Sequence, residues 1–201
     1  MGIMGDMARP RTFDEAEVVE VSRDVFWDQG YAATSIDDLS AATGLGRGSF
    51  YKAFGDKHSM FLRTLQSYCL EASAGIRSEL RNPNLSAYDR LVAHVRGAAA
   101  GIASDTDRRG CLLAKSAAEL SATDPTVAKQ VKRTLDGWLR ELTATIRAAQ
   151  ADGDIPSGPD AKSMASLLLA VLRGMEALRM GGASATTIKL AAEQALSLIH
   201  I

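Results

Sequence analysis

The sequence predicts an all-α fold, with an N-terminal three-helix domain that contains a helix-turn-helix and a C-terminal domain that is also helical. Three observations carry this. Apolar residues recur at three- and four-residue spacing in successive segments. Those segments open on capping residues such as Ser35, Asp124 and Asp160. Gly and Pro fall mostly between the segments rather than inside them, and no alternating strand run stands out. At 201 residues and 46% hydrophobic content, the chain is long enough to bury a real core.

Residues 1–11, with three early Met residues and Arg9, Pro10 and Arg11, show no periodicity and read as a flexible arm. Arg9 and Arg11 suit a minor groove or an idle solvated arm. Val18, Ser22, Val25 and Phe26 mark the inner face of a first helix ending near Gly30. Ser35, three residues before Asp38, opens a capping box for a short second helix to about Ala42, with Ile36 and Leu39 inward. Thr43-Gly44-Leu45 is a turn in which Gly44 suits a left-handed backbone. A third helix from about Gly46 to Phe54 puts Phe50 and Phe54 inward and Arg47, Gly48, Ser49, Tyr51 and Lys52 on the other side. Two short helices joined by a Gly-containing turn form the helix-turn-helix pattern, so residues 12–58 are one unit.

Asp56 caps a fourth helix reaching about Leu80. Further helices span about Ser86 to Ser104 and Leu112 to Ser121, and Asp124-Pro125 opens a long one whose Val127, Val131, Leu135, Trp138, Leu142 and Ile146 share a face. Asp160 opens the next, in which Met164, Leu168, Val171, Met175 and Leu178 follow a seam-like spacing. Leu167 and Leu172 lie off that seam, so this helix needs two neighbours, one of which suits a partner chain. Ile188, Ala192 and Ala195 face inward from a last helix, closing a domain of residues 59–195. Residues 196–201, Leu-Ser-Leu-Ile-His-Ile, read as the translation of a transposon end used in library preparation, and are set aside as a non-native tail.

Composition narrows the function. The net charge of −1 does not announce a nucleic-acid binder, and the first 58 residues carry six Lys/Arg against ten Asp/Glu. Most of those acids precede Asp38, after which Arg47, Lys52, Lys57 and Arg63 face only Asp38 and Asp56. Local placement governs phosphate contact more than the total. Two cysteines, no signal peptide and no apolar run near the ~20 residues of a membrane span predict a soluble, cytoplasmic protein with no membrane partner. Three scattered histidines form no zinc spacing, and no nucleophile-base set or phosphate loop appears, so neither an enzyme nor a metal or other cofactor is expected.

Lys57 stands where the helix dipole disfavours a cation by ~0.3 to 1 kcal/mol, which suits a phosphate bound at that helix start. Thr34 and Ser35 are caps able to receive a phosphate at the second helix, and Tyr51 offers a hydroxyl for another. Arg47 suits bidentate bonds to guanine, and Ser49 bonds to base or phosphate. Gly30-Tyr31, Thr34-Ser35-Ile36-Asp37-Asp38-Leu39, Ala42-Thr43-Gly44-Leu45, Gly48-Ser49-Phe50-Tyr51 and Phe54-Gly55-Asp56-Lys57 occur in an order and spacing that resembles the DNA-binding domain of TetR/AcrR-type repressors.

The resemblance implies a homodimer on a palindromic double-stranded DNA operator, with Thr34, Tyr51 and Lys57 at phosphates and Arg47, Gly48, Ser49 and Lys52 on the base-reading face. It also implies that the C-terminal domain binds a small-molecule effector and dimerises through its last two helices. Met164, Leu168, Val171, Met175, Leu178, Ile188 and Ala192 are the candidates for that interface. Cys111, Leu112, Leu113, Trp138, Leu142 and Leu168 are candidates for an effector pocket, the alternative being plain core. Cys111, after Arg108-Arg109-Gly110 at a helix start, also suits a thiolate, hence a redox- or electrophile-sensing repressor, against an inert buried thiol.

Overall fold

A computed structural model describes residues 13–200. The expected N-terminal arm, with Arg9 and Arg11, lies outside the described residues, as does Ile201. Among the described residues there are helices and no strands: α1 (Glu15–Gln29), α2 (Ile36–Thr43), α3 (Arg47–Phe54), α4 (Lys57–Leu80), α5 (Ala87–Ser104), α6 (Leu112–Leu120), α7 (Pro125–Ala151), α8 (Ala161–Met180) and α9 (Ala185–His200). No helix among them is long and apolar enough to cross a membrane.

The helix starts follow from side-chain oxygens that satisfy otherwise unpaired backbone N–H groups. Ser35 and Asp38 form the expected reciprocal capping box on α2. Asp56 accepts from Ser59 N at 2.7 Å to open α4. Asp124 accepts from Thr126 N and Val127 N with Pro125 in the first turn of α7, and Asp160 accepts from Ser163 N at 2.8 Å on α8. Gly44, at φ 69°, takes the left-handed conformation that ends α2.

Two apolar clusters hold the chain together. One joins the ends of α4 and α7 to α5, α8 and α9, around Leu91, Val95, Ile146, Leu168 and Ile188. The other gathers Phe26, Leu39, Phe50, Phe54 and Phe61 of the N-terminal helices with Cys111, Leu113, Val127, Val131 and Trp138. The core under the helix-turn-helix therefore runs on into α6 and α7 rather than stopping at residue 58.

Three expectations are corrected here. The stripe Met164, Leu168, Met175, Ile188 and Ala192 faces the subunit's own interior, none more than 8% exposed, because α8 and α9 turn it onto α5 and α7. Only Leu178, at 50%, stands clear, and Val171 is half-buried against the core. The outward leucines of α8 and α9 are instead Leu167, Leu178, Leu190 and Leu198. Next, the proposed pocket residues are split between cores, with Leu142 and Leu168 in one, Cys111, Leu113 and Trp138 in the other, and Leu112 buried as well, so they enclose no common cavity. Finally, the packed C-terminal domain does not end at residue 195: Leu196 and Ile199 are buried and continue the face of Ile188, Ala192 and Ala195.

Candidate nucleic-acid interface

α2, the turn 44–46 and α3 form the helix-turn-helix. Phe50 and Phe54 anchor α3 to Phe13 and the core, with Phe50 and Phe54 ring centroids 5.5 Å apart. The helical period then forces the opposite side outward. Arg47, Gly48, Ser49, Tyr51 and Lys52 are all exposed on it, as the sequence predicts. A Cβ built at Gly46 or Gly48 would meet nothing within 4 Å, so nothing in this chain's own packing requires glycine there. Gly46 is the N-cap of α3, and Gly48 lies within the helix, where it costs about 1 kcal/mol relative to Ala.

Arg47 has a partner that sequence reasoning missed. Its Nε and Nη2 donate to the two carboxylate oxygens of Asp37 in the first turn of α2, a two-point ion pair between exposed side chains. The bond to Arg47 holds the Asp37 carboxyl below the usual range and raises the guanidinium in return. An acid at an exposed helix start ten residues before an exposed arginine was the available signal.

Three candidate phosphate groups are engaged inside the chain. Thr34 is buried, and its hydroxyl donates to Gly30 O at 2.7 Å. Ser35 is exposed, but its hydroxyl bonds Asp38 within the capping box at 2.6 Å, which holds the Asp38 carboxyl low. Lys57 Nζ donates to Tyr31 O and Thr34 O, each at 2.9 Å, and lies 4.3 Å from the centre of the Tyr31 ring. These acceptors and the ring face supply what the helix dipole withholds from a cation at this position. Thr34 and Lys57 thus build the loop between α1 and α2, and their assignment to phosphates by side chain is corrected. Tyr51 alone of the three resemblance-based phosphate positions keeps a free, exposed side chain.

The acids of α1 are also accounted for. Arg109 reaches from the segment before α6 to Asp28 at 2.6 Å and Asp24 at 2.9 Å. Arg23 meets Glu71 at 2.6 Å, and Arg63 meets Glu15. Arg109 and Arg63 therefore offset part of the acidic excess of the first 58 residues, away from the outward face of α3, while Arg23 spends its own charge on Glu71 of α4.

The same segment fastens the helix-turn-helix to the rest. The Glu119 carboxylate accepts from Tyr31 N at 2.9 Å and Ala32 N at 2.6 Å. Gly30, at φ 82°, lets this happen, since a Cβ there would come 3.2 Å from the Glu119 carboxylate. Lys115 Nζ donates to Trp27 O at 2.5 Å, and Trp27 Nε1 donates to Gly110 O at 3.0 Å. His58 and Asp124 are 2.5 Å apart.

Cys111 does not fit the thiolate reading. It is 2% exposed, and burial first, then the Glu176 carboxylate, push its thiol up. Arg109 is turned away onto α1, and Tyr68 and Arg173 contact the sulfur at 3.3 and 3.4 Å. The cysteine-sensing alternative is not favoured.

Comparison with known proteins agrees with this geometry. The profile described as "Bacterial regulatory proteins, tetR family" matches residues 18–64. That described as "Tetracyclin repressor-like, C-terminal domain" matches residues 87–193. The chain is 28% identical over 176 residues to the HTH-type transcriptional repressor ComR of Escherichia coli strain K12, covering 88% of this chain and 84% of the relative. It is 27% identical to the repressor DhaR of Mycobacterium sp. strain GP1, covering 82% and 81%. Among solved structures, a cysteine mutant of the TetR family regulator CifR complexed with operator DNA superposes with a TM-score of 0.80 at 28% identity, over 94% of this chain and 98% of that one. A regulator from Chloroflexus aurantiacus shares the fold at a TM-score of 0.82, 24% identity and 92% coverage of each chain.

Proposed function

Because the chain belongs to the TetR family of transcription regulators, we propose that it is a cytoplasmic repressor, not an enzyme, that binds a palindromic operator as a homodimer and is released by a small-molecule effector. The observation that carries this is the outward face of α3: Arg47, Gly48, Ser49, Tyr51 and Lys52 share it, every one is exposed, and the glycine leaves room for close approach. A rod of this size enters the major groove, where Arg can read guanine and Ser either base or phosphate. Tyr51 holds the rod on a flanking phosphate, and Lys52 lies with Arg47 and Ser49 on the base-reading face. Backbone N–H groups at the starts of α2 and α4 remain the sites for further phosphates, in place of the Thr34 and Lys57 side chains.

Dimerisation is assigned to the outward apolar side chains of α8 and α9, Leu167, Leu178, Leu190 and Leu198, which are 44 to 65% exposed. Two reading heads related by a twofold axis then meet half-sites about 34 Å apart, or a multiple of that. The relatives described as repressors support repression over activation.

Selection of bound fragments from the source genome by the full chain, followed by affinity against salt, tests the reading. The expected result is an inverted repeat and a steep negative salt slope, near −0.9 per phosphate contacted. Binding with neither would overturn it.

A further inference from the structure

We propose that the cleft between α6 and α8 is the effector site, that it takes a small uncharged and largely apolar molecule, and that Glu119 passes its occupancy to the reading head. This rests on the ligand-responsive reading above and adds a place and a chemistry to it.

The cleft has a volume of about 520 Å³, within the span of small-molecule sites. Its walls are apolar: Ala114 and Ala118 from α6, Ala177 and Met180 from α8. Four charged residues also line it, and each makes a bond within the chain, although Arg173 Nε is buried without a partner. Lys115 is bonded to Trp27 O. Glu119 accepts two backbone N–H groups. Arg173 and Glu176 form a pair at 2.9 Å, shielded enough that burial raises the Glu176 carboxyl. The four charges of the lining cancel, and their hydrogen bonds are directed at the chain. A charged ligand would therefore have to leave water and break one of those bonds to gain a counter-charge, whereas an apolar body loses nothing by entering.

Glu119 makes the site more than a cavity. It lines the cleft with one side of α6, and its carboxylate holds Tyr31 N and Ala32 N in the loop that leads directly into α2 and α3. A molecule wedged between α6 and α8 moves α6, and the loop must follow or lose both bonds. Either outcome changes how α3 is presented. Such coupling is reciprocal, so operator must weaken the ligand by the factor by which ligand weakens operator.

The test uses the full chain with three probes of one shape: uncharged 2-acetonaphthone, anionic 2-naphthoate and cationic 2-naphthylmethylamine. One readout is the Met180 methyl signal in 13C-methionine NMR without DNA, and the other is affinity for a selected operator fragment. Acetonaphthone alone should shift Met180 and weaken the operator at least about fivefold. Ala118→Phe and Ala177→Phe, which fill the cleft from exposed positions on opposite walls, should abolish the Met180 shift in the folded protein. Glu119→Ala should keep the shift and bring the operator ratio with and without probe to about one. An unmoved Met180, preference for a charged probe, or release that survives both Phe variants would each overturn the proposal. The last two would leave the ligand-responsive reading standing, and failure of operator binding would not touch the NMR result.

Discussion

Asp37 holds the guanidinium of Arg47 by its Nε side, through two hydrogen bonds that span the gap between α2 and α3. The opposite edge of the guanidinium, with Nη1, remains free to meet the O6 and N7 acceptors of a guanine. Asp37 is thereby a positioning residue for base reading, and it also lays a negative charge beside the DNA. Asp37→Ala should raise affinity for non-specific duplex while narrowing the ratio between the operator and single-base variants of it. Competition binding at fixed salt measures both, and an unchanged ratio would show that the pair does not orient Arg47.

Lys57 closes the loop between α1 and α2 by its bonds to Tyr31 O and Thr34 O. Hydrogen bonds to a charged group contribute about 1.5 to 3 kcal/mol each at best, and this site is half-buried, so Lys57→Met should cost about 1 to 3 kcal/mol in urea unfolding. Operator affinity should fall alike for all sequences. Full stability in the variant would return Lys57 to a direct phosphate role.

Leu168 is fully buried, whereas Leu178 and Leu190 are 50% and 65% exposed. Leu168→Ala should therefore cost about 2 to 5 kcal/mol of stability. The double change Leu178→Glu and Leu190→Glu should instead yield monomers in sedimentation, with helicity retained and operator affinity lost. A dimer that persists would move the interface elsewhere.

Asp38, Asp56, Asp124 and Asp160 are all held below the usual carboxylate range, chiefly by hydrogen bonds from Ser35, Ser59, His58 and Ser163 respectively. A carboxyl depressed in the folded state stabilises it above its unfolded value, near 3.9, and that stabilisation is lost as pH falls through the folded value. Glu176 has the opposite sign: raised by burial, it favours the folded state at low pH and loses that contribution as pH rises through its folded value. With Asp37, Asp105, Asp136 and Glu193 depressed as well, against the raised Glu176, the melting temperature should fall on acidification below about pH 4. A melting temperature that climbs there would contradict the cap assignments.

The Cys111 thiol, buried and pushed up, should react with iodoacetamide only as fast as the chain opens. Stopped alkylation followed by mass spectrometry checks this, and prompt labelling of the native protein would restore a sensing role.

What the sequence disclosed was what is local. The caps at Ser35, Asp56, Asp124 and Asp160 and the inward faces of the first three helices depend on residues within a turn or two, and they stand as expected. A periodic stripe such as Met164, Leu168 and Met175 announces burial but not the neighbour, and the neighbour proved to be the chain's own α5, α7 and α9. Contacts across long separations were illegible: Lys57 with carbonyls 23 and 26 residues earlier, and Glu119 with amides 87 and 88 residues earlier. Of the two readings of Cys111 the inert buried thiol stands, and the thiolate alternative fails because Arg109, its sequence neighbour, spends its charge on α1.

The most direct test of the account is the base preference of Arg47→Ala, read by selection from random duplexes beside the parent chain. Preference should disappear at one base pair in each half-site, the two positions related by the twofold axis, with the remaining positions little changed and affinity for non-specific duplex lowered, because Asp37 is left unpaired beside the DNA. Identical preferences for the two proteins would contradict it, since the outward face of α3 would then not be what reads the groove.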